Sequence, residues 1–182
     1  MKRNAAMLLI SSLFIAVVLT GCSQGAAVSD KESSTKNNTS GKLIEPSELI
    51  SKAEAEQLLG ESLQEAKNSE QKVVGLKISN YDAVKEDTFK FLQVSLTQQA
   101  FMPDNGQSSQ AIFRALRDNF PANVKVDGVG DEAFIAPPGI HILKGSYYIL
   151  IAVGNSDDVK NREILISAAK KALENLEKLK GN

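Results

Sequence analysis

The chain carries a single cysteine and a single histidine, so the two side chains best suited to thiol and proton-transfer chemistry can be weighed one at a time. Cys22 has no second cysteine with which to form a disulfide or a zinc cluster, which leaves its thiol free for modification. His141 lies between Ile140 and Ile142 in an apolar run. To act as a general base it needs a group that orients it, and the nearest carboxylates in sequence are Asp131 and Glu132. Strand alternation places His141 on the face opposite its isoleucine neighbours and predicts that it meets solvent. Ser146, in Lys144-Gly145-Ser146-Tyr147, reads as a hairpin turn rather than a nucleophile.

The densest polar cluster is Asp127-Gly128-Val129-Gly130-Asp131-Glu132, whose three carboxylates suggest calcium. The spacing lacks the alternating ligands and distal glutamate of an EF-hand loop. Gly128 and Gly130 also lack the third glycine and the following helix of a dinucleotide-binding turn. The segment therefore predicts a tight turn with glycines at positive φ and Asp131 bonded to nearby backbone. Metal ligands, cofactor-binding residues and catalytic residues are all expected to be none. The aromatic residues Phe101, Phe113, Phe134, Tyr147 and Tyr148 are expected to pack a core rather than line a pocket, and without tryptophan there is little for stacking against sugars or bases.

Upstream of Cys22, Lys2 and Arg3 precede an uncharged apolar run over residues 5–19. The run is shorter than the roughly 20 residues a spanning helix needs, and it ends in small residues, the layout of a secretory leader at 1–21. Leu19-Thr20-Gly21-Cys22 resembles the bacterial lipobox. The resemblance implies cleavage before Cys22, acylation of its sulfur and amine by palmitate-class chains, and anchoring of the mature protein to a membrane. Two or more acyl chains hold stably, each buried methylene contributing about 0.8 kcal/mol.

Composition narrows the partners. The chain has 21 basic and 22 acidic residues, and loss of Lys2 and Arg3 with the leader takes the net charge from −1 to −3. Basic residues are interleaved with acidic ones throughout, without the stripe that nucleic acid selects. Residues 23–42 are mostly small, polar or charged and cannot bury enough surface to offset ordering entropy. Residues 22–45 are thus expected to form a lipidated cysteine and flexible tether with a reach of about 25 Å, followed by one domain at 46–182.

The domain's elements follow from period and punctuation. Ser51 and Glu54 form a capping box ahead of a two-turn helix that Gly60 ends. Val74, Leu76 and Ile78 alternate with polar residues, as do Leu92, Val94 and Leu96, and residues 82–87 turn between these two strands. Ser108 or Ser109 starts a helix through about Asn119, with Ile112, Leu116 and Phe120 inward and Pro121 stopping it. Three short strands follow, and the last, at 147–153, is apolar at consecutive positions and so should be central and covered on both faces. Asn155 to Asp158 cap a final helix whose stripe is Leu165, Ala169, Ala172, Leu176 and Leu179. The expected fold is α+β, a mostly antiparallel sheet of about five or six strands packed by helices.

The sequence Val126-Asp127-Gly128-Val129-Gly130-Asp131-Glu132-Ala133-Phe134, followed by a turn and Ile140-His141-Ile142-Leu143-Lys144-Gly145, resembles uncharacterised bacterial lipoproteins with a glycine-aspartate turn before a hairpin. Those proteins are similar in fold to the photosystem extrinsic PsbP-like αβα sandwich. The resemblance covers about residues 49–179 and implies a non-enzymatic binding or assembly role, with no ligand-binding residue carried over. Paired cysteines found in related actinobacterial lipoproteins have no counterpart here. The expectation is a lipid-anchored extracytoplasmic domain, on the cell membrane or, in a two-membrane cell, the outer membrane. Its partner would be an envelope protein or small ligand, not nucleic acid. The alternatives are an extracytoplasmic hydrolase using His141 with nearby carboxylates, or a passive structural envelope lipoprotein.

Overall fold

A computed structural model describes residues 42–85 and 90–181. Cys22, the leader and most of the expected tether lie outside these residues, as do residues 86 and 87 of the turn expected at 82–87.

The short helix α1 (Pro46–Leu49) and the helix α2 (Lys52–Leu59) open the domain. Proline at the first position of α1 and the reciprocal bonds of Glu45 with Glu48 fix its start. The Ser51–Glu54 capping box forms as expected, and Gly60 closes α2 at φ 67°. The expected domain begins at residue 46, but Ile44, within the expected tether, is already 1% exposed and part of the core. Next come β1 (Lys67–Gln71), a 3₁₀ turn at Lys72–Val74, β2 (Leu76–Asp82) and β3 (Phe91–Gln98). The helix α3 (Ser109–Asn119) is capped by the Ser108 hydroxyl. After it run β4 (Val124–Lys125), β5 (Glu132–Ala136), β6 (Gly139–Lys144), β7 (Tyr147–Ala152) and α4 (Val159–Lys180), the last capped by the Asp158 carboxylate.

The seven strands form one antiparallel sheet in the order β1-β2-β3-β7-β6-β5-β4. The expected five or six strands become seven because both edges are inconspicuous in sequence. Every residue of β1 is exposed and polar, and β4 has only two residues. As predicted, β7 is central, between β3 and β6.

Helices cover both faces. On one, α1, α2 and α4 pack over Leu92, Val94 and Leu96 of β3, Ile140 and Ile142 of β6, and Ile149 and Ile151 of β7. The α4 stripe meets this core, with Leu165, Ala169, Ala172 and Leu176 buried and Leu179 packed against them. On the other face, α3 lies over β6 and β7 and builds a smaller core from Phe113, Phe134, Ala136, Leu143 and Tyr148. Phe113 is the fully buried apolar residue of α3, with Ile112, Leu116 and Phe120 flanking it.

The expected inward face of β2 is reversed. Val74 belongs to the 3₁₀ turn and is exposed, while Leu76 and Ile78 are only half-buried. Tyr81 and Ser79 point to the large core, opposite Leu92 and Val94 of β3. Neighbouring strands must present cross-strand partners to the same face, and the Tyr81 hydroxyl fixes the choice by donating to the Ile50 carbonyl at 2.8 Å.

The β5–β6 turn brings Gly139 against β7, where an added Cβ would lie 1.9 Å from the Ile151 carbonyl oxygen. Backbone cannot yield there without breaking the central ladder. Gly139→Ala is expected to cost about 3 kcal/mol or more, measured by urea denaturation. Gly145→Ala, at φ 59° with open space around it, should cost about 1–2 kcal/mol from backbone strain alone.

Candidate functional site

His141 faces α3, not solvent. Alternation set it opposite Ile140 and Ile142 as expected, but that face is roofed by α3, and the residue is 2% exposed. It pairs across the β5–β6 ladder with Phe134, whose ring stacks on the imidazole at 4.5 Å and 7°. Phe120, just past the end of α3, tilts over it at 5.9 Å. Tyr148 of β7 completes the cage, its hydroxyl 2.8 Å from His141 Nδ1.

Burial pushes the His141 imidazole down to about 4, against a smaller opposing pull from the carbonyls of Ala136 and Pro137. Those carbonyls fall short of hydrogen-bond geometry, because Nε2 has no partner. Burial also holds the Tyr148 hydroxyl protonated far above its ordinary range. We therefore assign Tyr148 as the donor to Nδ1, with the imidazole neutral and its proton on Nε2. The neutral ring is enclosed by Phe120, Phe134 and Tyr148. It acts as a polar strut between β6 and β7.

The carboxylates weighed as its partners go elsewhere. Asp131 accepts from the Gly145 N–H at 2.6 Å and pairs with Lys144 at 3.3 Å, and these contacts hold it below the usual carboxylate range. Glu132 is bonded to Arg117 of α3. Asp127 pairs with Lys125 on the surface. The acidic cluster is thus the predicted turn, its three side chains diverging to three separate cations. Gly130 is required twice over, at φ 62° and with a Cβ position 2.6 Å from the Leu143 carbonyl oxygen. Ser146 lies in the β6–β7 turn, as expected.

Beside this turn, Gly128, Gly130, Lys144, Lys170 and Glu174 border an open groove of about 490 Å³ against α4. Bonds from Lys178 and Lys171 hold Glu174 down to about 2. Sequence reasoning missed both this groove and the aromatic cage. The signal for the cage was present in α3, where Phe113 and Phe120 needed a second apolar surface beyond the one the final helix covers. Tyr147 and Phe101 stay half-buried and carry Lys180 and Lys77 over their rings. Among the described residues, no group of three or more histidine, cysteine, aspartate or glutamate side chains is placed to hold a metal. No described helix is long and apolar enough to cross a membrane.

Comparison of the chain with protein-family models, with curated proteins and with solved structures finds no match.

The buried imidazole makes stability depend on pH. Below about 6.5 the unfolded chain takes up a proton that the folded chain refuses until about pH 4. This contribution is fully present above pH 6.5 and is lost as the pH falls toward 4, by up to about 3 kcal/mol. Urea midpoints across that window should fall more steeply for the native chain than for His141→Phe. Parallel pH profiles would remove the basis for a neutral buried imidazole.

Proposed function

We propose that this chain is a lipid-anchored, extracytoplasmic lipoprotein whose domain binds a protein or small ligand at the envelope without catalysing a reaction. The anchoring half rests on Leu19-Thr20-Gly21-Cys22, which resembles a lipobox behind a leader of suitable length. The binding half rests on one observation. The only histidine is sealed beneath α3 with Tyr148, while Asp131 and Glu132 are held by Lys144 and Arg117. The parts of an acid–base constellation are thus dispersed into separate structural contacts, which disfavours the hydrolase alternative. Helices on both faces of an antiparallel sheet are compatible with the PsbP-like αβα sandwich, the finer fold we propose. The cell membrane is the proposed location, with the outer membrane the counterpart in a two-membrane cell.

Metabolic labelling with a palmitate analogue tests the anchor. The native chain should incorporate label, and Cys22→Ser should abolish it, leaving uncleaved precursor or released protein. Label retained on Cys22→Ser would overturn the lipobox reading. A hydrolase substrate panel tests the rest: turnover that His141→Gln removes while the circular dichroism spectrum stays native would replace binding with catalysis.

A further inference from the structure

Three exposed apolar side chains gather where the described chain begins. Val73 is 79% exposed, Leu43 42% and Val74 37%. They belong to one end of the sheet. Ile44 exchanges two hydrogen bonds with the buried Gln98 amide, from its N–H to Oε1 at 3.0 Å and from Nε2 to its carbonyl at 2.7 Å. Gln98 in turn donates its N–H to the Gly75 carbonyl at 3.0 Å. Leu43, next to Ile44, and the pair Val73-Val74, next to Gly75, thus both adjoin backbone that Gln98 bonds in place.

The tip is a built feature rather than a loose hairpin end. Gly75 turns at φ 62°, and a Cβ there would lie 2.8 Å from the Gln98 carbonyl oxygen and 3.0 Å from the Met102 side chain. The 3₁₀ turn at Lys72–Val74 therefore presents its valines outward at a fixed angle. Its charges are also sorted. Glu45 and Glu70 are both paired with Lys77, whereas Lys72 and Lys42, both exposed, have no ion pair among the described residues.

We propose that this tip rests on the lipid surface that carries the anchor, with Val73, Val74 and Leu43 entering the headgroup boundary and Lys42 and Lys72 facing anionic phosphates. The inference rests on the lipidated Cys22 reading. Lys42 lies twenty positions after Cys22, and a chain of that composition reaches about 25 Å. It enters the domain at the very end that carries the valines. Confinement at that distance corresponds to millimolar effective concentration, enough for a few shallow apolar side chains and two cations to settle on a bilayer they would not hold from free solution. The orientation leaves the opposite end, with the start of α4, pointing away from lipid.

The test uses the full-length lipidated chain in vesicles of equal parts phosphatidylcholine and phosphatidylglycerol. Acylation of Cys22 leaves an introduced cysteine as the only free thiol, so Val73→Cys and Val159→Cys can each take one environment-sensitive dye. Val159 is 71% exposed and begins α4, which makes it a matched control at the far end. Both proteins should float with the vesicles. The dye at 73 should shift to the blue and be quenched by a lipid-borne quencher about tenfold more than the dye at 159. Adding Val74→Glu should remove the shift at 73 while flotation persists. Flotation with equal quenching at both sites overturns the docking and leaves the anchor standing. Failure to float, with Cys22 itself taking dye, overturns both. A shift at 73 that follows protein concentration rather than lipid assigns the tip to a second copy of the chain and also overturns the proposal.

Discussion

The domain depends on one strand that belongs to two cores. In β7, Ile149 and Ile151 point into the core under α1, α2 and α4, while Tyr148 points into the core under α3. Burying each large apolar side chain contributes about 1.5–3 kcal/mol, and here consecutive residues contribute to opposite sides. The same strand joins the two halves of the sheet, pairing with β3 along one edge and β6 along the other. The halves β1-β2-β3 and β4-β5-β6 make no pairing with each other except through it. The partner on the β3 side lies about fifty residues earlier in the chain, so β7 closes a long loop as it pairs. The close approach of Gly139 to Ile151 is the local mark of this constraint, since β6 must lie against β7 without a side chain in between.

The two cores differ in kind. The larger is built almost wholly from aliphatic side chains, and beside it the buried Gln98 amide bonds both polar backbone groups of Ile44. The smaller is aromatic and holds an imidazole that lacks a second hydrogen bond. An unsatisfied buried polar group costs about 1–3 kcal/mol, and stacking with Phe134 offsets part of it. Apart from its own packing, α3 is fastened through Arg117 to Glu132 and through Ser109 and Gln110 to the carbonyls of Thr97 and Gly145. Protonation of His141 at low pH therefore acts on the layer beneath α3.

What the sequence revealed was local. The Ser51 box, the Asp158 cap, the α4 stripe and the two-sided strand at 147–153 each depend on residues within a few positions of one another, and each was legible. The face of β2 was not, because Leu76 and Ile78 form the more apolar row by themselves. Their orientation was decided by a residue 31 positions away, the Ile50 carbonyl that receives the Tyr81 hydroxyl. The polar edge β1 carries no alternation, since neither of its faces is buried. For His141 alternation gave the correct face but not its burial, which depends on α3 crossing that face, a tertiary fact with no local sign. At Asp127 to Glu132 the positive φ of Gly128 and Gly130 was legible because glycine spacing there reports backbone shape directly.

The segment that opens the described domain is secured by more than its own packing. The segment from Ile44 to Ile50 has no strand partner, and side chains stand in for one. Gln98 takes both polar groups of Ile44, Asn175 of α4 donates to the Leu49 carbonyl at 3.0 Å, and Tyr81 donates to the Ile50 carbonyl. These three residues sit on β3, α4 and β2, so the segment is fastened to the sheet and to the longest described helix rather than held by the short α1 alone. Satisfying backbone groups with buried side chains is costly to undo, because releasing the segment would leave both partners without bonds inside the protein. With a single cysteine the chain can form no internal disulfide, and this strap of amides and one phenol holds the segment to the domain instead.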